Sequence, residues 1–283
     1  MVYSMVLSPA TARPPLPEAA DPPRAARTAA FFDLDNTLIQ GASLFHLARG
    51  LTAHHFLTVR ELAKFGYAQV SFRIRGERDC HLESTRSKAL AFAQGHTVAQ
   101  MRQICAEIYE DYLSEKIWPG TRALAQAHLD RADEVWLVTA APLELAEVVA
   151  GRLGLTGALG TVPESIDGVY TGGLTGQILH GPAKAGAVEA LAEERGYQLP
   201  QCHAYSDSAN DLPLLTAVGH PHAINPDHRL RRHARTVGWP VTDYRAGVRL
   251  LRFGRPGPAA LGGIAGGTGA VAAGGALRRM NRR

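Results

Sequence analysis

The chain has 283 residues, 46% hydrophobic and 20% charged, which is enough apolar material for one large domain or a domain carrying an insertion. Its formal net charge is +4, and the basic run RLRRHAR at 229–235 lacks the interleaved aromatic residues of a nucleic-acid surface, so it reads as a solvated helix face. Three scattered cysteines (Cys80, Cys105, Cys202) make no CxxC pair and the histidines no HExxH pattern, which argues against a zinc site and for inert thiols in a reducing, cytoplasmic setting.

In chain order, residues 1–28 hold prolines, alanines and arginines without periodicity or the apolar stretch of a secretory signal, and read as a disordered leader. Ala29–Phe32 predicts a short buried strand that runs into Asp33, Asp35 and Thr37, with Leu38 and Ile39 apolar again. From Ser43 to Lys116 apolar residues recur at helical spacing (Leu44, Leu47, Ala48, Leu51, then Ile104, Ile108, Tyr112), with Gly76 and Gly95 as breaks between helices. After Trp118-Pro119-Gly120, the pattern predicts a helix over Thr121–Asp130, a buried strand over Glu134–Thr139 and a helix over Leu143–Leu153 that stops at Gly154.

Residues 160–180 carry a DG dipeptide between β-branched residues and glycines, a hairpin signal. Pro182 opens the next helix and Gly196 closes it. CHAYSDSANDLPLL at 202–215 predicts a strand, a polar turn and a helix start, and Ala223–Ile224 a further strand before the basic helix. Short apolar strands alternating with helices imply a doubly wound, Rossmann-like α/β core with a mostly parallel sheet, in which ligands sit beyond the carboxyl ends of the strands. The core takes residues 29–42 and 117–250, and the helical stretch 43–116 is an inserted all-helical cap placed over the site.

Four polar clusters fall on that edge: Asp33, Asp35 and Thr37; Thr139; Lys184; and Asp207, Ser208, Asn210 and Asp211. Like charges at the end of a buried strand cost several kcal/mol per ion unless a cation compensates, roughly as for any buried carboxylate. A Ca2+ loop is excluded, because its sixth position is Leu38 rather than glycine, and no P-loop or GxGxxG follows the first strand. Mg2+ suits the set better, since it takes one or two carboxylates together with a substrate phosphate. Asp33 and Asp207 supply those carboxylates, and a carboxylate beside a phosphate can act as nucleophile. Thr139, backbone N–H groups and Lys184 are donors for the phosphoryl oxygens, and Asp35 is placed to move the leaving-group proton.

FFDLDNTLI, LVTAAP, GPAKAGAVEAL and YSDSANDLPLL, in that order, resemble the four motifs of the haloacid dehalogenase superfamily, with an insertion like that of its phosphoserine phosphatase-like subfamily. The resemblance spans about residues 29–245. It implies Asp33 as nucleophile, Asp35 as general acid and base, and Thr139, Ala140 and Lys184 around the phosphate. Asp33, Asp207 and the backbone carbonyl of Asp35 then hold Mg2+, supported by Asp211, Asn210, Ser208 and Thr37. Three departures stand out: Ala42 where those enzymes carry a glutamate that grips the substrate ammonium, Thr139-Ala140-Ala141 in place of Ser-Gly-Gly, and Asn36 in place of serine. The expected partner is therefore a small phosphorylated metabolite other than phosphoserine, and Arg73, Arg75, Arg78 and Arg86 are candidates to meet an anionic part of it. A phosphotransferase, or a sensor with negligible turnover, is the alternative.

Ala259–Leu277 has no charge but holds seven glycines and seven alanines, so it reads as a flexible tail at 251–283. Contact of its terminal arginines with anionic lipid is the second reading.

Overall fold

The computed structural model describes residues 27–54 and 93–245. Residues 1–26 of the leader, the tail, Gly76, Cys80 and the four arginines of the insertion lie outside the described residues. Arg27 and Thr28, expected in the leader, instead join the core, Arg27 by a parallel bridge to Tyr197 and Thr28 through its hydroxyl to Asp133.

Six strands form one parallel sheet in the order β3-β2-β1-β6-β7-β8: β1 Ala29–Phe32, β2 Glu134–Pro142, β3 Gly157–Thr161, β6 His203–Ser206, β7 His220–Ile224 and β8 Val241–Thr242. A separate antiparallel pair joins β4 (Pro163–Ile166) to β5 (Val169–Leu174). The helices are α1 Ser43–Ala53, α2 Val98–Ile108, α3 Pro119–Asp130, α4 Leu143–Leu153, α5 Pro182–Arg195, α6 Leu212–Ala217 and α7 His228–Val237. The doubly wound α/β fold expected from the sequence is the one observed.

Alternation along the strands builds two cores. Phe31, Trp136, Val138, Ala204 and Ala223 face α5, α6 and α7, while Leu137 joins Leu34, Leu38 and the apolar faces of α1, α2 and α4. Residues 43–54 and 93–116 are helical or in tight turns apart from short connections. Thr97 and Gln100 close α2's first turn reciprocally, at 3.1 and 2.9 Å. Ile108 passes so close to α1 that a Cβ on Gly50 would stand 2.2 Å from its Cγ1. Gly50→Val is therefore expected to lower stability by about 1–3 kcal/mol, a melting-point loss of several degrees that thermal denaturation reads directly.

Three strand expectations need correction. The second strand does not stop at Thr139 but runs to Pro142, because Pro142 pairs with Thr161 after a register shift. That partner, β3, was not expected: Gly-Ala-Leu-Gly-Thr has almost no β-branched character, and neighbour pairing at the sheet edge overrides propensity. β8 was likewise missed, being two residues long. The DG hairpin is present, with Asp167 (φ +50°) and Gly168 (φ +77°) both left-handed, as a type I′ turn requires. Among the described residues no helix is long and apolar enough to cross a membrane.

Candidate active site

β1 supplies four fully buried residues, and its ladder reaches one position beyond, where the Asp33 N–H donates to the Tyr205 carbonyl at 2.9 Å. Because β1 lies beside β6, Asp33 and Asp207 leave adjacent strands at the same carboxyl edge. The chain after Asp33 turns sharply. Asn36 is left-handed (φ +57°), exchanges 3.2 Å hydrogen bonds with Gly41, and its carbonyl accepts from Asn225 Nδ2 at 2.7 Å. Asparagine tolerates that conformation better than serine does, which accounts for the residue found there. The turn brings Asp35 under α1, where the Ser43 N–H donates to Asp35 Oδ1 at 2.8 Å.

Gly181 (φ +55°) and Pro182 set the start of α5, and Lys184 points inward from its first turn. The ammonium is almost completely buried and donates to Asp33 Oδ1 at 2.5 Å and Asp211 Oδ2 at 2.8 Å. Ser206 Oγ donates to the same Asp211 oxygen at 2.7 Å. Lys184 therefore ties the ends of β1 and β6 together.

Ser208 joins this network, its N–H donating to Ser206 Oγ at 3.2 Å. Among the described residues no hydrogen bond ties Thr139, Ala140, Asn210 or Thr37 to Lys184, Asp33 or Asp211. Thr139 lies two residues beyond Leu137, the partner of Phe32; its hydroxyl accepts from the Ala141 N–H at 3.1 Å. The Ala140 carbonyl accepts from Thr161 Oγ1 at 2.8 Å. The Asn210 N–H donates to Ser208 Oγ at 3.2 Å, and the buried Thr37 hydroxyl has no hydrogen-bond partner among the described residues.

Sequence reasoning missed Ser206 and Asp227. Asp227 caps α7 through the Leu230 N–H, at 2.7 Å, and its second oxygen accepts from the Ala209 N–H at 2.9 Å. Its own N–H donates to the Asp207 carbonyl at 2.7 Å, which fixes the turn bearing Asp207. The signal was present in NPDHRL, an acid one position before a helix.

Four aspartates stand at this edge, and Lys184 bonds two of them, Asp33 and Asp211. Burial pushes Asp33 up to about 7, Lys184 opposes that shift, and Asp211 and Asp35 add to it. Asp207 is pushed up to about 8, first by burial and then by Asp33. Asp35 is raised by burial, with Ser43 and Lys184 pulling it back. Burial works against the Lys184 charge, but Asp33 and Asp211 outweigh it and hold the ammonium protonated. Among the described residues no three acidic, histidine or cysteine side chains converge into a cation cage of their own. The donor set instead suits a hard cation that keeps waters: two carboxylates, Asp33 and Asp207, with surplus negative charge that one lysine leaves uncompensated.

Residues 30–216 match the haloacid dehalogenase-like hydrolase family. The chain is 49% identical over 274 residues to a protein named phosphoserine phosphatase SerB1 from Mycobacterium tuberculosis, covering 95% of this chain and 88% of that one. A crystal structure of a protein of unknown function from Bordetella pertussis superposes with TM-score 0.69 at 29% identity, over 77% of this chain and 99% of that one. A phospho-aspartyl intermediate analogue of phosphoserine phosphatase shares the fold at TM-score 0.55 and 18% identity, over 81% and 100% of the two chains.

Proposed function

Since the chain belongs to the haloacid dehalogenase-like hydrolases, we propose that it is a Mg2+-dependent phosphatase acting on a small phosphomonoester through an aspartyl-phosphate on Asp33. The observation that carries the reading is the Lys184 bridge from Asp33 to Asp211, which holds a carboxylate and a cation together at the carboxyl edge of β1.

In the first half-reaction an Asp33 carboxylate oxygen bonds to phosphorus while the ester P–O bond breaks, and Asp35 gives the leaving oxygen a proton. In the second half, water attacks the phosphorus of the aspartyl-phosphate, Asp35 takes the water proton, and phosphate leaves with the Asp33 carboxylate restored. Burial favours the protonated form of Asp35, which suits a group that must first act as an acid. Lys184, the Thr139 hydroxyl and the Ala140 N–H are the donors for the phosphoryl oxygens. Asp33, Asp207 and the Asp35 carbonyl would hold Mg2+, with Asp211, Asn210, Ser208 and Thr37 supporting the turn. When bound, the cation offsets the negative charge of carboxylates and phosphate.

Ala42 precedes α1 and offers no side-chain cap, so nothing acidic stands at that position to hold an ammonium group. The substrate is therefore taken to be a small phosphorylated metabolite other than phosphoserine, met in the cytoplasm. The test is a panel of phosphomonoesters, O-phosphoserine among them, with a generic aryl phosphate as reference. Turnover of the aryl phosphate that vanishes on chelation supports the reading, and turnover unaffected by chelation contradicts it. Protons compete with the cation for Asp33 and Asp207. The half-saturating Mg2+ concentration is accordingly expected to fall as pH rises through about 7 to 8.

A further inference from the structure

On one face of the sheet, β1, β6 and β7 present a ladder of rings that the phosphatase chemistry does not use. Phe32 stacks on Tyr205 at 4.3 Å between centroids, Tyr205 on His222 at 5.5 Å, and His203 on His220 at 4.6 Å. The last two pairs are cross-strand partners in the β6–β7 register. His128 from α3 closes the ladder edge-on at 4.6 Å from His203, and its Nε2 meets the Tyr205 hydroxyl at 2.7 Å. Over Tyr205 and the four histidines, though not Phe32, lies a cavity of about 530 Å3, walled by α3 on one side and by Trp239 and Pro240 on the other. None of its lining residues belongs to the carboxylate network.

Nitrogen groups line this cleft. Arg131 stands at its wall, 57% exposed, with four imidazoles beside it and His233 packed against Trp239. The nearby Asp133 carboxylate is already held by Thr28, His128 and Arg131. Burial and the fields of His128, His220 and Arg131 push the His203 imidazole down to about 4, with Asp133 opposing, so the cleft resists gaining a further proton unless an anion arrives with it.

We propose that this cleft is a second binding site, separate from the phosphatase centre, for a small planar organic anion. The volume suits a ligand of that size, roughly the range of small-molecule sites. Arg131 and the exposed His220 meet the anionic group, and Trp239 and the ring ladder meet the flat face.

The probe is benzoate, titrated into the full chain carrying isotope-labelled histidine, with the ring signals of His203 and His220 followed by NMR. Benzoate is expected to give saturable shifts there. Cyclohexanecarboxylate, which has the charge without the flat face, is expected to bind about fivefold more weakly, the worth of one aromatic contact. His220→Ala and Trp239→Leu are each expected to weaken benzoate binding while aryl phosphate hydrolysis stays at the wild-type rate. The proposal is overturned by non-saturable shifts, by equal affinity for the two carboxylates, by inorganic phosphate binding as tightly as benzoate, or by unchanged binding in both variants.

Discussion

Asp33→Asn is expected to reduce hydrolysis of every phosphomonoester by about a thousandfold or more while leaving the protein folded. The reason lies in what the amide keeps and what it loses. Its carbonyl oxygen still accepts from the Lys184 ammonium, so the bridge to Asp211 at 2.8 Å survives and the ends of β1 and β6 stay tied. The volume in the buried pocket is unchanged, and a carboxylate that burial had pushed up to about 7 is gone. The amide has no anionic oxygen with which to attack phosphorus. Activity is read with the aryl phosphate, and folding by circular dichroism and thermal denaturation. A variant that loses activity only because it unfolds would show in the second measurement. One that stays folded with more than about a tenth of the wild-type rate removes Asp33 from the nucleophile's role.

The second large effect concerns stability, and its sign is opposite to intuition. With its carboxyl pushed up to about 8, the folded chain binds more protons at Asp207 than the unfolded chain does, across the whole interval above the ordinary carboxylate range. Stability therefore falls as pH rises through that interval, and the loss is complete once Asp207 ionises in the folded state. Asp207→Asn removes the ionisation. In the presence of a chelator at pH 8, this variant is expected to melt above the wild type, by at least ~1 kcal/mol or several degrees, with the difference vanishing near pH 4. Adding Mg2+ should raise the melting point of the wild type and leave the variant nearly unmoved, because only the wild type gains a ligand for its surplus charge. Hydrolysis should be lost in the variant under all these conditions. A variant less stable than wild type at pH 8 without cation would mean that Asp207 is a structural group, and the assignment of the cation to it would fall.

These residues are legible in the sequence because local rules place them. β1 is four apolar residues that end in acid, and no surface strand is written that way. Lys184 stands in a first helical turn announced by Pro182, so its direction followed from helix geometry. The hairpin at 166–169 was spelled by Asp167-Gly168. What stayed hidden depended on partners distant in sequence. β3 is a strand because Gly157–Leu159 lie against Trp136–Val138, and its own composition says little. Ser206 and Asp227 gain their roles only when β6, the 207–211 turn and α7 come together. The left-handed backbone of Asn36 read as a departure from a familiar pattern, whereas in the fold it is what lets the loop close onto Gly41 and bring Asp35 to α1. The ring ladder under α3 was invisible for the same reason: His128, His203, His220 and His222 are scattered along the chain, and only the parallel register of β6 and β7 stacks them.

The central claim is that the phosphoryl group passes through Asp33. The most direct measurement is to quench the enzyme in acid during turnover of a radiolabelled phosphomonoester, reduce the trapped acyl phosphate with borohydride, and map the modified residue by peptide mass spectrometry. Label on the protein, with position 33 alone reduced to homoserine, is the predicted result. Modification at Asp35, Asp207 or Asp211 instead, or full turnover with no covalent label at any time point, would contradict the account.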